Sequence, residues 1–292
     1  MARLDVRKTY KLYIGGAFPR SESGHSYEVL DAKGKFVANA SLASRKDVRD
    51  AVVAARKAFG GWSTRTAYNR GQILYRIAEV MEDRRAQFEE AVRQSEGATA
   101  AAARTQVDAA IDRLVWYAGW ADKIAQVSGN ANPVAGPFFN HTAPEPSGVI
   151  GVVAPQGSSL LGLVSVLAPA VVTGNTAVVV SSFTRPLPAV TFSEVLATSD
   201  VPGGVVNLLT GDAGVLGPWL AGHMDVNGID LTGLAGVDGA EQLAVDLEVA
   251  AADNLKRVRR APLVEPDWAA APGLAPMTAF LEHKTVWHPV GV

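Results

Sequence analysis

Apolar and polar positions recur with two different periods along this chain, and the change of period divides it. Between about residues 44 and 126 apolar side chains return every three or four positions. Val48, Ala51, Val52, Ala55 and Phe59 share one face of a predicted helix. Ser44 with Asp47 three residues on is a capping-box pattern that starts it, and Gly60-Gly61 is expected to end it. A second helix is predicted over 67–95 on the stripe Ile73, Leu74, Ile77, Val80, Met81 and Phe88. A third is predicted over 104–126 on Val107, Ile111, Leu114, Val115 and Ala118. Ahead of these, 11–14 followed by Gly15-Gly16 reads as a short strand and turn. Residues 27–30 and 36–40 read as a hairpin around Asp31-Ala32-Lys33-Gly34.

The character changes at Ser128. Gly129, Asn130, Asn132, Pro133, Gly136 and Pro137 mark a loop, and 138–146 reads as extended. Strand-like runs at 149–154, 177–180, 205–209 and 228–232 then alternate with helix-like runs at 160–172, 186–198, 215–222 and 243–249. That alternation predicts an α/β fold, a doubly wound parallel sheet covered by helices. Residues 253–260 are polar and basic and read as a solvated helix end or linker. Residues 262–276 are rich in Ala and Pro and read as a linker, and 278–290 as a last extended segment.

Composition narrows the classes. Of 292 residues, 48% are apolar and 19% charged, so a packed core is expected. Lys and Arg number 27 against 29 Asp and Glu, a net charge of −2, which gives no electrostatic case for nucleic acid or an anionic membrane. There is no cysteine, which rules out disulfides and thiolate metal sites and fits a cytoplasmic protein. The first eleven residues lack a signal-peptide core, and the apolar stretch 160–172 holds Ser165 and Pro169 and is too short to span a bilayer. The histidines His25, His141, His223, His283 and His288 are scattered, so no metal site is expected. No Gly-x-Ser-x-Gly elbow appears, and Ser158-Ser159 reads as a loop.

From about residue 11 to 250, and again over about the last fifteen residues, the chain resembles the aldehyde dehydrogenase superfamily. "KLYIGGAF" is similar to that family's opening strand, "DVRDAVVAARKAFGGWS" with "NRGQILYRIAEVME" to its first helix pair, and "YAGWADKI" to its third helix. "EPSGVIGVVAP" and "APAVVTGNTAVVV" resemble the entry into its nucleotide fold, and "VPGGVVNLLTG" and "IDLTG" the turns that follow. "AFLEHKTVWHPVGV" resembles its oligomerisation strand. The resemblance implies a Rossmann-like, cofactor-binding-type domain from 1–137 and 147–253, with N-terminal helices. It implies a β oligomerisation arm from 138–146 and 277–292, and a linker, 254–276, where the family has its catalytic domain.

What the family would need for chemistry is absent from these residues. Its nucleophile is a cysteine thiolate, and this chain has none. The positions matching its Pro-Trp-Asn oxyanion motif are Pro155, Gln156 and Gly157, and Gly157 has no side-chain donor. Those matching its ribose-binding lysine and glutamate are Val180 and Phe183. Leu234, after Gly233, matches a phosphate-contacting serine, although Gly233, Gly236 and Gly239 keep a glycine-rich turn. Glu248 is matched with the general-base glutamate, and Ala250 and Ala251 with the paired glycines after it. No catalytic residue and no bound NAD or NADP are therefore expected. The interface is expected at Phe138, Phe139, Asn140 and Thr142 and at Lys284, Thr285, Val286 and Trp287. The chain is read as a non-catalytic subunit that joins a full-length aldehyde dehydrogenase in the cytoplasm, with self-association also open. Two other readings stand beside it: a nucleotide-binding module built on Gly174-Asn175-Thr176 and Leu231-Thr232-Gly233, and an NAD(P)-dependent aldehyde dehydrogenase by family.

Overall fold

The structure is a computed structural model that describes residues 6–291. Strand β1 (Thr9–Tyr10) lies parallel to β3 (Phe36–Ser41), which pairs antiparallel with β2 (Ser26–Leu30). The hairpin turn is closed by Asp31, whose Oδ1 accepts from the Lys33 and Lys35 amides at 2.8 and 2.9 Å. The strand expected at 11–14 is reduced to two isolated bridges, one from Ile14 to Ala17 and one joining Tyr13 antiparallel to Leu208.

Helix α1 (Arg45–Ser63) starts with the expected capping box at Ser44 and Asp47. It does not stop at Gly60-Gly61. Trp62 is buried, and its indole N–H donates to the Val171 carbonyl at 2.9 Å, so the last turn is held by tertiary contact against the glycine penalty. The long helix expected over 67–95 is two, α2 (Ala67–Asp83) and α3 (Arg85–Glu96), because Arg84 leaves helical geometry. The break lets α3 set Ala91 into a small core with Val29, Ala38, Ala40 and Leu187. Helix α4 (Ala100–Trp120) begins a turn earlier than expected, capped by Thr99, and α5 (Ile124–Ser128) is separate from it. The expected loop contains β4 (Asn130–Asn132), which pairs antiparallel with β5 (Phe138–Pro146).

The second half is doubly wound. In chain order come β6 (Val149–Val153), α6 (Leu161–Val172), β7 (Thr176–Val180), α7 (Leu187–Leu196), β8 (Val206–Leu209), α8 (Ala213–Ala221), β9 (Gly228–Asp230), α9 (Ala240–Ala251) and β10 (Arg257–Arg259). The five strands are parallel in the order β10-β9-β6-β7-β8. Side chains alternate across the sheet. Ile150, Val152, Ala177 and Val179 face a core with α2, α4, α6 and α7, while Val149, Val153, Val178 and Val180 face one with α1, α8 and α9. Helix α6 is apolar nearly all round, and every one of its residues is buried.

Strand β10 corrects the expected linker over 254–276, whose first part is the sheet's edge. Its alternating charges hide it: Arg259 pairs with Asp230 at 3.0 Å and Arg257 forks onto Glu282. After a short α10 (Ala275–Thr278), β11 (Leu281–Pro289) runs antiparallel to β5 through nine residue pairs, from Leu281↔Pro146 to Pro289↔Phe138. This third sheet has the order β11-β5-β4. Its root is fixed in the body, since Phe280 is buried and a Cβ on Gly228 would stand 2.7 Å from its ring. Among the described residues no helix is long and apolar enough to cross a membrane.

Candidate functional site

The chain winds outward from β6 to β7 and β8, then returns to β9 on the other side of β6. In an open α/β sheet that reversal opens a crevice at the carboxyl ends of the two strands, the usual place for a ligand. Here its walls are the loop after β6, Ala154-Pro155-Gln156-Gly157, and the turn after β9, Leu231-Thr232-Gly233-Leu234.

The floor of the crevice is backbone against backbone. A Cβ on Gly233 would stand 2.2 Å from the Val153 carbonyl oxygen and 2.3 Å from the Ala154 carbonyl carbon, so only glycine fits. Leu234 is 5% exposed and belongs to the core around α8 and α9. Gln156 ties the loop down. Its Nε2 donates to the Ala154 carbonyl at 2.7 Å and its Oε1 accepts from the Phe183 amide at 3.1 Å. The Ser182 hydroxyl donates to the Gln156 carbonyl, and Arg185 Nη1 donates to the Gly157 carbonyl at 2.6 Å. Pro155 packs close to Gly162 at the entry to α6. Ser158 accepts from the Gly162 amide, while Ser159 donates both its amide and its hydroxyl to Glu96 Oε1 at 2.7 Å.

Val180 is fully buried in the sheet. Phe183 lies on the Tyr27 ring with centroids 4.7 Å apart. The Tyr27 hydroxyl is buried without a hydrogen-bond partner among the described residues, and burial holds its ionisation far above the ordinary phenol range. Gly236 and Gly239 take positive φ and lead into α9. Glu248 sits within α9, and its carboxylate meets Arg260 Nε at 3.0 Å at the surface. Arg260 is the first residue of the stretch that follows β10 at the sheet's carboxyl edge.

Residues of the expected linker complete the crevice. Glu265 lies across its mouth. A Cβ on Gly157 would be 3.1 Å from Glu265 Oε2, and one on Gly236 would be 3.3 Å from Glu265 Cβ. Trp268 Nε1 donates to Glu265 Oε1 at 2.9 Å, and its ring packs on the core that contains α4. Arg113, buried on α4, donates to the Ser165 hydroxyl at 2.7 Å and to the Ala270 carbonyl at 2.6 Å. Desolvation lowers its pKa, opposed by the fields of Tyr117 and Asp267. Glu265 and Trp268 carry no sequence signal for this role, because the Ala/Pro-rich stretch has no periodicity to read, and Arg113 is one charged position within the periodic helix α4.

These residues do not fit a dinucleotide. The two positions matched to ribose contacts are a buried valine and a stacked phenylalanine, and a carboxylate lies beside the glycine turn where phosphate charge would come. Among the described residues no group of three His, Asp or Glu could hold a metal ion.

The arm is the opposite case. Asn140 is buried at its centre and accepts from Asn132 Nδ2 at 2.7 Å, and Asn132 also reaches Thr142. Thr142 and Thr285 hydroxyls face each other at 2.9 Å across the ladder. Phe138 and Trp287 pair edge to face at 5.8 Å, and Lys284 reaches Glu145 at 3.5 Å. Phe138, Phe139, Val286 and Trp287 are all exposed. The outer edge of β11 pairs with no other strand among the described residues.

The family model described as "Aldehyde dehydrogenase family" matches residues 18–258. Human cytosolic 10-formyltetrahydrofolate dehydrogenase is 35% identical over 236 residues, 78% of this chain and 26% of that protein. Cytosolic aldehyde dehydrogenase 1 of Elephantulus edwardii is 34% identical over 253 residues, 85% of this chain and 49% of its own length. Among solved structures, HpcC from Thermus thermophilus superposes with a TM-score of 0.80 at 29% identity, covering 86% of this chain and 47% of that one. PnpE, solved in complex with nicotinamide adenine dinucleotide, has the same score and identity, covering 86% and 50%. The chain thus spans between a quarter and a half of the length of these curated relatives.

Proposed function

The chain belongs to the aldehyde dehydrogenase family, and we propose that within it the chain is a non-catalytic subunit, joining a full-length, catalytically competent aldehyde dehydrogenase as a structural or regulatory partner. The observation that carries this reading is the arm. Nine residues of β11 present a free strand edge beside exposed Phe138, Phe139, Val286 and Trp287. A long unpaired edge with apolar side chains is a template for strand addition by another chain. The absence of cysteine supports the non-catalytic half, since the thiolate that attacks an aldehyde carbon in the family has no counterpart in the sequence. On this reading residues 138–146 and 277–292 are the assembly unit, and Phe138, Phe139, Asn140, Thr142, Lys284, Thr285, Val286 and Trp287 are its contacts. We place the complex in the cytoplasm, as the names of the cytosolic relatives suggest.

The test is co-expression with a full-length aldehyde dehydrogenase of the same genome, followed by size-exclusion chromatography with light scattering. A stable mixed complex, lost when Trp287 and Phe138 are both changed to Ala, supports the reading. A well-behaved monomer that ignores the enzyme ends it.

A further inference from the structure

The segment between β10 and α10 lies across the place where the fold would hold a ligand. It leaves the sheet edge at Ala261 and crosses the mouth of the β6/β9 crevice, with Glu265 between Gly157 and Gly236. From there it turns at Trp268 and is held on α4 by the Arg113 bond to the Ala270 carbonyl. Two of its side chains, Trp268 and Leu274, pack on the main core. A loose linker would make none of these attachments.

We propose that residues 261–273 are a built-in cover of the crevice, an intramolecular occupant standing where a diffusible dinucleotide would lie. Three features give it that role. Glu265 brings a negative charge beside the glycine turn that opens α9, the position at which a helix N-terminus favours an anion, so a phosphate meets repulsion as well as bulk. The Trp268 indole fixes one oxygen of that carboxylate, which gives the cover one preferred pose. The crevice floor beneath is already sealed by Gly233 against Val153 and Ala154. The sheet therefore needs no cofactor to complete it. This inference is independent of the partner reading, because it concerns the isolated chain and no assembly enters its test.

The test is hydrogen–deuterium exchange on the full chain, with and without millimolar NAD+, beside the double variant Glu265→Ala/Trp268→Ala. In the wild type the amides of residues 232–234 and 157–159 should exchange slowly, and NAD+ should change neither loop. The double variant should raise exchange in both loops by roughly 10-fold or more, with α2 unaffected, as expected for local opening. Protection of either loop by NAD+ in the wild type would overturn the proposal. So would wild-type loops that exchange as fast as the exposed turn at Gly24. These wild-type measurements decide the matter even if the double variant does not fold. Where it does fold, exchange equal to wild type in both loops would also overturn it.

Discussion

The carboxyl edge of the parallel sheet and the antiparallel arm use the same materials, strand ladders and aromatic rings, to opposite effect. At the sheet edge Phe183 is turned onto Tyr27, Leu234 is buried, and Gly233 lets two loops touch through their backbones. In the arm Phe139 and Trp287 are 51% and 56% exposed, and a strand edge of nine residues stays open. On the readings proposed above, the crevice is closed to a small ligand and the ribbon is available to another chain. The difference separates two things that a fold does. A doubly wound sheet can persist as a rigid body through its two cores while the chemistry at its edge is removed. An isolated two- or three-stranded ribbon has no such core and gains stability chiefly by docking.

The comparison breaks first at Gly233. Adding one methyl group there sets a carbon against the carbonyls that end β6, with no flexible side chain to give way. Gly233→Ala should cost about 3 kcal/mol or more, at the upper end for overpacking, and should lower the urea midpoint sharply or leave the chain insoluble. A near-neutral result would mean that the two loops can part, and that the crevice is open after all.

The arm should respond in the reverse sense. Trp287→Ala with Phe138→Ala removes large exposed rings, so the unfolding free energy of the isolated chain should change by less than about 1 kcal/mol. Association with the proposed partner should weaken by about 2 kcal/mol, roughly 30-fold, because buried aromatics dominate interfaces. Isothermal titration of the partner with each form reads the second quantity, and urea denaturation the first. A large loss of intrinsic stability with unchanged association would assign these rings to the chain's own packing instead.

Asn140 tests how far the arm is a body in its own right. It is 3% exposed, and its carboxamide oxygen accepts from Asn132. Asn140→Ala leaves that half-buried donor with only Thr142, and should cost about 1 kcal/mol. Exchange of the β4 and β5 amides should rise while β6 and β7 stay protected.

Much of the rigid frame was legible because burial leaves a periodic trace. The runs that became β6, β7, β8 and α6 are apolar on both sides, and Ser44 and Asp47 marked the start of α1 through a local hydrogen-bond pattern. The misses share a cause as well. Strand β10 is three residues with an arginine on either side of Val258, and β4 is Asn-Ala-Asn within a Gly/Pro-rich stretch. Both are strands only because β9 and β5 supply their ladders. The break at Arg84 has no Gly or Pro to announce it, and Trp62 carries α1 past two glycines through a bond to Val171, more than 100 positions away. At the crevice, Val180, Phe183 and Leu234 are singled out through the family resemblance, and the structure places Val180 in the sheet, Phe183 on Tyr27 and Leu234 in the core. The place of Glu265 and Trp268 beside Gly157 and Gly236 could not be read, because only the path of the chain brings them there.

The smallest effect lies where the two regions meet. Arg257 on β10 grips Glu282 at the root of β11, with Nη2 to Oε2 at 2.6 Å, and the Ser147 hydroxyl reaches the same carboxylate. The bond from Arg257 is the main reason that the Glu282 carboxyl titrates below its ordinary value. A carboxyl depressed in the folded state adds stability above its unfolded pKa and loses it as pH falls through the folded value. The window therefore opens near about pH 4 and extends downward. Both side chains are largely open to water, which screens the pair, so the contribution should be no more than about 0.5 kcal/mol. Exchange of the first β11 amides, followed from neutral pH down through that window, should quicken in the wild type and stay flatter in Glu282→Gln. Equal slopes in the two proteins would mean that the arm is held to the sheet by the burial of Phe280 and Leu281 and by the Phe280 carbonyl, which accepts from the Ser147 amide and from Asn175 Nδ2 at 3.1 Å, without help from the ion pair. The sheet and the arm would then be joined through packing and backbone hydrogen bonds, with no contribution from the Arg257–Glu282 charge pair.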